Sequence, residues 1–176
     1  MDGNYADRQA GPLDGLARRL IEAWALFGGF VLLGIVFMQT ASVVMGAFGA
    51  PLPGDFEMTE VWIAVAAFAF LPYCQLTGAN VTADIFTSGA GPKFITAMSA
   101  VTSLIALAFA VIMAWRSWHG MLDQFAYDAQ TAILGFRIGY AFIPIVISLV
   151  LLAVAALVTL ADALRGETPA REAGGE

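Results

Sequence analysis

The chain has 176 residues, a net charge of −6, 60% hydrophobic residues, 12% charged residues and a mean hydropathy of +0.79. Soluble domains carry about a quarter charged residues, so this composition belongs to a membrane protein, and the acidic balance excludes a nucleic-acid partner, which asks for a basic face. A single cysteine, Cys74, and a single histidine, His119, exclude an internal disulfide, a Cys-rich metal cluster and bis-imidazole haem ligation.

Residues 1–15 read as a flexible polar tail, with Asp2, Asp7 and Asp14 keeping it in water. From Asp14 the chain turns helical and amphipathic, with Leu16, Leu20, Ile21 and Trp24 largely opposed to Arg18, Arg19 and Glu22. It then enters the first of four long apolar runs, over 23–48, 61–83, 94–115 and 138–161. Each reaches or exceeds the ~20 residues that cross a ~30 Å hydrocarbon core. A charged side chain at a helix centre costs about 2.5–3.5 kcal/mol, and none of the runs carries one there. The first run is too long for a cleavable signal core and follows an acidic start, so it is expected to remain as a helix.

Between the first two runs, Pro51, Pro53, Gly49 and Gly54 punctuate a loop. Thr59 is placed to cap the second helix and Glu60 to sit in its first turn, complementing the helix dipole. Pro72 should kink that helix. Residues 77–92 read as a break followed by an amphipathic stretch ending in a Gly–Pro turn. After the third run, Leu122, Phe125, Ala129, Ile133 and Phe136 recur every three or four positions, which predicts a short helix lying on the membrane surface. The fourth run contains Pro144, and 165–176 form a polar C-terminal tail. The predicted fold is therefore all-α: a polytopic membrane protein with one domain over 16–164, four transmembrane helices and short amphipathic or interfacial segments.

Lys and Arg counts set the orientation. Arg8, Arg18, Arg19, Lys93, Arg165 and Arg171 flank one side, and only Arg116 and Arg137 the other. This predicts a multi-pass protein with both termini in the cytoplasm and external loops around 51–60 and 118–136.

No Walker-type glycine loop, metal-ligand cluster or Ser–His–Asp arrangement can be assembled from the residues present, so no catalytic, cofactor or metal site is expected. The mid-span polar residues are Gln39, Thr40, Ser42, Thr102, Ser103 and Ser148. Such groups make interhelical hydrogen bonds worth about 0.6–2 kcal/mol more often than they line a pathway. Small-residue rows at Ala106, Ala110 and Ala114, and at Gly135 and Gly139, allow close helix approach, inside the bundle or onto a partner. Glu60, Asp84, Asp123 and Asp128 read as caps or solvated loop acids, or else as contacts to another subunit.

A small four-helix membrane protein without chemistry of its own is usually an accessory subunit. The residues that narrow this are the lead-in Arg18-Arg19-Leu20-Ile21-Glu22, the Pro/Gly loop, the acidic opening Asp55 to Trp62, the stretch Leu76 to Ile85 with Gly78, Asn80, Val81 and Asp84, and Tyr140 and Pro144 in the last helix. Together they resemble the small, Q-type (DctQ-like) membrane subunit of tripartite ATP-independent periplasmic (TRAP) transporters. The basic residue and histidine often found around Gly78 in that family are here Thr77 and Asn80, and Arg137 and Gly139 stand where a proline and an aromatic are common.

The resemblance implies an accessory subunit of the bacterial inner membrane. It would brace the scaffold of a large transport subunit, with a periplasmic solute-binding protein as third component and ion-coupled, sodium-driven symport of an organic acid or similar solute. Glu60, Gly78, Asn80, Asp84, Tyr140 and Pro144 become candidates for the subunit contact or its structural support, and Asp123 and Asp128 for docking the binding protein. The small subunit of a tripartite tricarboxylate transporter and the membrane anchor of a respiratory enzyme remain alternatives.

Overall fold

The computed structural model describes residues 12–77 and 92–165. It contains four helices in chain order: α1, Pro12–Ala47; α2, Asp55–Leu76; α3, Pro92–Ala126; and α4, Gly139–Arg165. All four are long and apolar enough to cross a membrane. The cores expected within the four apolar runs lie inside these helices, but the ends differ, and the differences have local causes.

The amphipathic lead-in and the first crossing are one helix of 36 residues, about 54 Å long at 1.5 Å per residue. Helix α2 opens at Asp55, five residues before Glu60. Gly54, at φ 75°, supplies the left-handed turn that starts it. The N-cap position is Gly54, which has no side chain to offer, and Asp55 Oδ1 accepts the Phe56 N–H at 2.7 Å, satisfying one free donor of the first turn. Thr59 is therefore not the cap, and its hydroxyl donates to the Asp55 carbonyl at 2.8 Å. Glu60 lies beyond the first turn and is exposed. The described part of α2 closes at Leu76, with the Thr77 N–H donating to Tyr73 O at 3.0 Å. Gly78, Asn80 and Asp84 lie outside the described residues.

The separate surface helix expected between His119 and Phe136 does not form. Helix α3 runs unbroken through Ala126, because residues 116–126 contain no proline and a single glycine, Gly120. The chain turns at Asp128, at φ 49°, and again at Gly135, at φ 63°. An antiparallel bridge between Gln130 and Arg137 closes the loop between those turns.

Helix α4 is the centre of the arrangement. It packs along α3 on one side and α2 on the other, α2 packs along α1, and α1 meets α4 over a shorter stretch. Of the most apolar 18-residue window of each helix, 39% is buried in α4 but only 11% in α3. The bundle is thus an open row with α1 and α3 on its flanks. Its interior is built from small residues. A Cβ on Gly28 of α1 would lie 2.9 Å from Ala69 Cβ of α2, so the α1–α2 approach requires glycine there. Ala110 of α3 is fully buried against Leu149 and Leu152 of α4, and Ile21, Leu76 and Ala155 join α1, α2 and α4. The alanine row on α3 therefore serves internal packing, and Gly135 is a loop residue rather than the head of a helical row.

Candidate functional site

Polar side chains inside the bundle join helix to helix. Thr159 of α4 accepts from Gln75 Nε2 of α2 at 3.2 Å and from Ser103 Oγ of α3 at 3.1 Å. Its own single proton is shared between the Ala155 and Ala156 carbonyls, each 3.1 Å away. One hydroxyl donates once and accepts twice, so this node is saturated and ties three helices at one level. Trp24 Nε1 of α1 donates to Ser148 Oγ of α4 at 2.8 Å, and Ser148 donates to the Pro144 carbonyl at 2.8 Å. Near the chain termini, Arg18 of α1 and Asp162 of α4 form an ion pair at 2.9 Å. Thr40 and Thr102 bond back to carbonyls of their own helices, Val36 and Met98.

The opposite end carries both described interhelical loops. Ser42 of α1 donates to Asp55 Oδ2, and Gln39 of α1 donates to Thr59 Oγ1 and, at 3.4 Å, to the Asp55 carbonyl. Glu57 joins the two loops: its carboxylate accepts the backbone N–H of Ile133 at 2.9 Å and of Leu134 at 3.2 Å. Leu134 in turn lies directly over Gly54, where any side chain would collide with it. Within the second loop, Asp128 accepts from Arg137 Nε at 2.8 Å and from Gln130 Nε2 at 3.0 Å.

The register gives this end a depth. From the Gln75–Thr159–Ser103 node, Glu60 is 15 residues toward the loop end along α2 and Arg116 is 13 along α3, or about 22 and 20 Å at 1.5 Å per residue. Asp162 lies three residues beyond the node in the other direction. The charged levels are therefore about 25 Å apart along the helices, close to the ~30 Å of a hydrocarbon core. Residues beyond Glu60 and Arg116, with the two loops, form a folded cap outside the apolar slab.

The predicted site residues fall into distinct places. Tyr140 stacks edge-on against Phe125, with ring centroids 5.4 Å apart, and leans on Phe136 at 6.2 Å. Pro144 receives the Ser148 hydroxyl and lines an apolar cavity. Asp123 is exposed with no hydrogen bond or ion pair from its carboxylate among the described residues, whereas Asp128 is engaged in closing its loop. The Glu60 carboxylate likewise makes no hydrogen bond or ion pair among the described residues. His119 is exposed, with Nδ1 2.9 Å from the Trp115 carbonyl of its own helix. Among the described residues no group of three or more His, Cys, Asp or Glu side chains is arranged to hold a metal.

Three participants were not singled out in the sequence. Thr159 sits inside an apolar run, where a hydroxyl looks like tolerated filler. Glu57 looked like one more loop acid. Asp162 has a readable signal: Ser148, Ala155 and Asp162 recur every seven residues on α4, the heptad spacing of a helix seam. They meet Trp24, Ile21 and Arg18 of α1.

Four apolar helices of spanning length, with their ionisable groups toward the two ends, define a multi-pass membrane protein. Residues 32–166 match the family described as tripartite ATP-independent periplasmic transporters, DctQ component, and the chain belongs to that family. It is a family of transporter components and not of enzymes. No curated protein and no solved structure gives a significant match.

Proposed function

We propose that this chain is the accessory small subunit of a TRAP transporter in the bacterial inner membrane, bracing the static scaffold of a large transport subunit that works with a periplasmic solute-binding protein. The observation that carries this reading is the open row of helices. The outer face of α1 exposes Leu26, Phe30, Leu33 and Phe37, and that of α3 exposes Leu104, Ile105, Ile112 and Trp115. The mid-span polar groups, by contrast, are engaged in interhelical or back-bonded hydrogen bonds. A brace needs apolar flanks and interfacial anchors. A transport path needs ionisable or unpaired polar groups at depth.

Both termini face the cytoplasm in this reading. The Arg18–Asp162 pair holds the start of α1 beside the end of α4, and Glu57 holds the two external loops together at the other end. The acids of the cap, with Asp123 the most available, meet the incoming binding protein. Substrate and coupling-ion sites, sodium being the expected ion, belong to the large subunit. The test is reconstitution: the pair of membrane subunits with the binding protein should take up solute on a sodium gradient, and the isolated chain should not. Sodium-driven uptake by this chain alone refutes the reading.

A further inference from the structure

A cavity of about 420 Å³ lies between α1, α2 and α4. Trp24 and Phe27 of α1, Trp62 and Val65 of α2, and Tyr140 and Ile147 of α4 contribute to a wall that is carbon almost throughout. Among the lining side chains, Trp62 and Tyr140 each carry a polar atom, the indole N–H and the hydroxyl, that hydrogen-bonds to no other described residue, whereas the indole N–H of Trp24 goes to Ser148.

Position and shape select the occupant. Trp62 lies two residues inside the level of Glu60, so the cavity starts at the loop-side interface and descends into the apolar slab. Where no partner subunit covers this side, the medium beside the cavity is lipid. Trp24 and Phe27 border the lower end and Phe136 the upper. A transmembrane helix is about 10–12 Å across with its side chains, too bulky for a space of about 420 Å³. A single hydrocarbon chain fits, and an aromatic pair with polar tips is the arrangement that suits the ester and phosphate level of a lipid.

We propose that the cavity is a binding site for one phospholipid of the loop-side leaflet. An acyl chain lies between Trp62 and Ile147, and the glycerol–phosphate region accepts hydrogen bonds from Trp62 Nε1 and Tyr140 OH.

Brominated acyl chains quench tryptophan on contact, and Trp115→Phe with Trp118→Phe leaves Trp24 and Trp62 as the only indoles. The full-length double variant, purified in detergent and stripped of lipid, is titrated with phosphatidylethanolamine brominated at mid-chain. Quenching should saturate at an equimolar amount of lipid. Ile143→Phe, at an exposed lining position, and Ala141→Leu, at a buried one, should each increase the half-quenching concentration about tenfold. Two variants are used so that one misfolded protein does not decide the result, with circular dichroism as the check. Tyr140→Phe should weaken the lipid without moving its quenching endpoint. Quenching that only follows the bulk lipid fraction, equally in all variants, overturns the site. So does a membrane-extracted complex with no quenching that becomes quenchable once its partner is removed, since a partner side chain then fills the cavity.

Discussion

The indole of Trp24 reaches across from α1 to donate to Ser148 of α4, while Arg18, six residues earlier, reaches Asp162. A separation of six positions on α1, about 9 Å, thus matches one of fourteen on α4, about 21 Å, because two long side chains reach away from a buried Ile21. Trp24→Phe keeps the packing and removes the donor. In a double-mutant cycle with Ser148→Ala, measured by unfolding in mixed micelles, the coupling should fall at about 0.6–1.7 kcal/mol. A coupling of zero means that the aromatic ring, and not the hydrogen bond, secures α1.

Thr159 is the acceptor for two helices at once. Thr159→Val preserves shape and leaves Gln75 and Ser103, both buried, without that acceptor. The expected loss is about 1–3 kcal/mol, the cost of stranding the buried Ser103 hydroxyl. Adding Ser103→Ala should recover part of it, since that removes one stranded donor. If Thr159→Val is neutral, the three-helix node contributes nothing to stability.

Glu57→Gln keeps the size of the side chain but replaces an ionised acceptor by a neutral amide. Amide hydrogen exchange should accelerate at Ile133 and Leu134 and stay unchanged in α4. Uniform exchange across the loop in both proteins removes the latch assigned to Glu57.

Topology is checked with reporters fused after Glu176 and within 51–54. Activity of a periplasm-only reporter is expected at the loop and absent at the C-terminus. The reverse result inverts every assignment of sidedness.

The cap acids should separate by function. Glu60→Ala should leave the stability of the isolated chain within about 0.5 kcal/mol, as for an uncoupled surface site, and reduce recovery of the large subunit on copurification. Asp123→Lys should slow uptake at limiting binding protein and leave the membrane complex intact, because rim charges act mainly on encounter. Asp128→Lys should additionally loosen the 127–138 loop by breaking its pair with Arg137. If Glu60→Ala gives full recovery and Asp123→Lys is silent at every binding-protein concentration, these are ordinary solvated acids.

The existence of four spans was legible because burial in lipid imposes length and apolarity on every crossing, as 138–161 shows. The helix ends were not. Gly54 starts α2 early through its left-handed backbone, and such a start depends on one backbone angle that apolar patterning does not encode. The continuation of α3 past Arg116 was obscured because its apolar residues keep the same spacing on either side of the membrane boundary. Polar pairing was half legible. Ser103 and Ser148 stood out as mid-span hydroxyls, but their partners Thr159 and Trp24 are fixed only by the crossing of α1, α2 and α3 on α4.

That dependence on α4 has a consequence for biosynthesis. Helices α1 and α2 are neighbours in sequence and can pair as soon as both have left the ribosome. Helix α3 packs chiefly on α4, so it waits in the bilayer with Ser103 and Ala110 facing lipid until the last helix is inserted. Translation of α4 then supplies Leu149 to α3, Ser148 to Trp24, Thr159 to Gln75 and Asp162 to Arg18 in a single event. A chain stopped after Pro144 would have every membrane-inserted segment but one, yet it would lack the helix that holds the other three together, and a quality-control protease would meet α3 as an orphan.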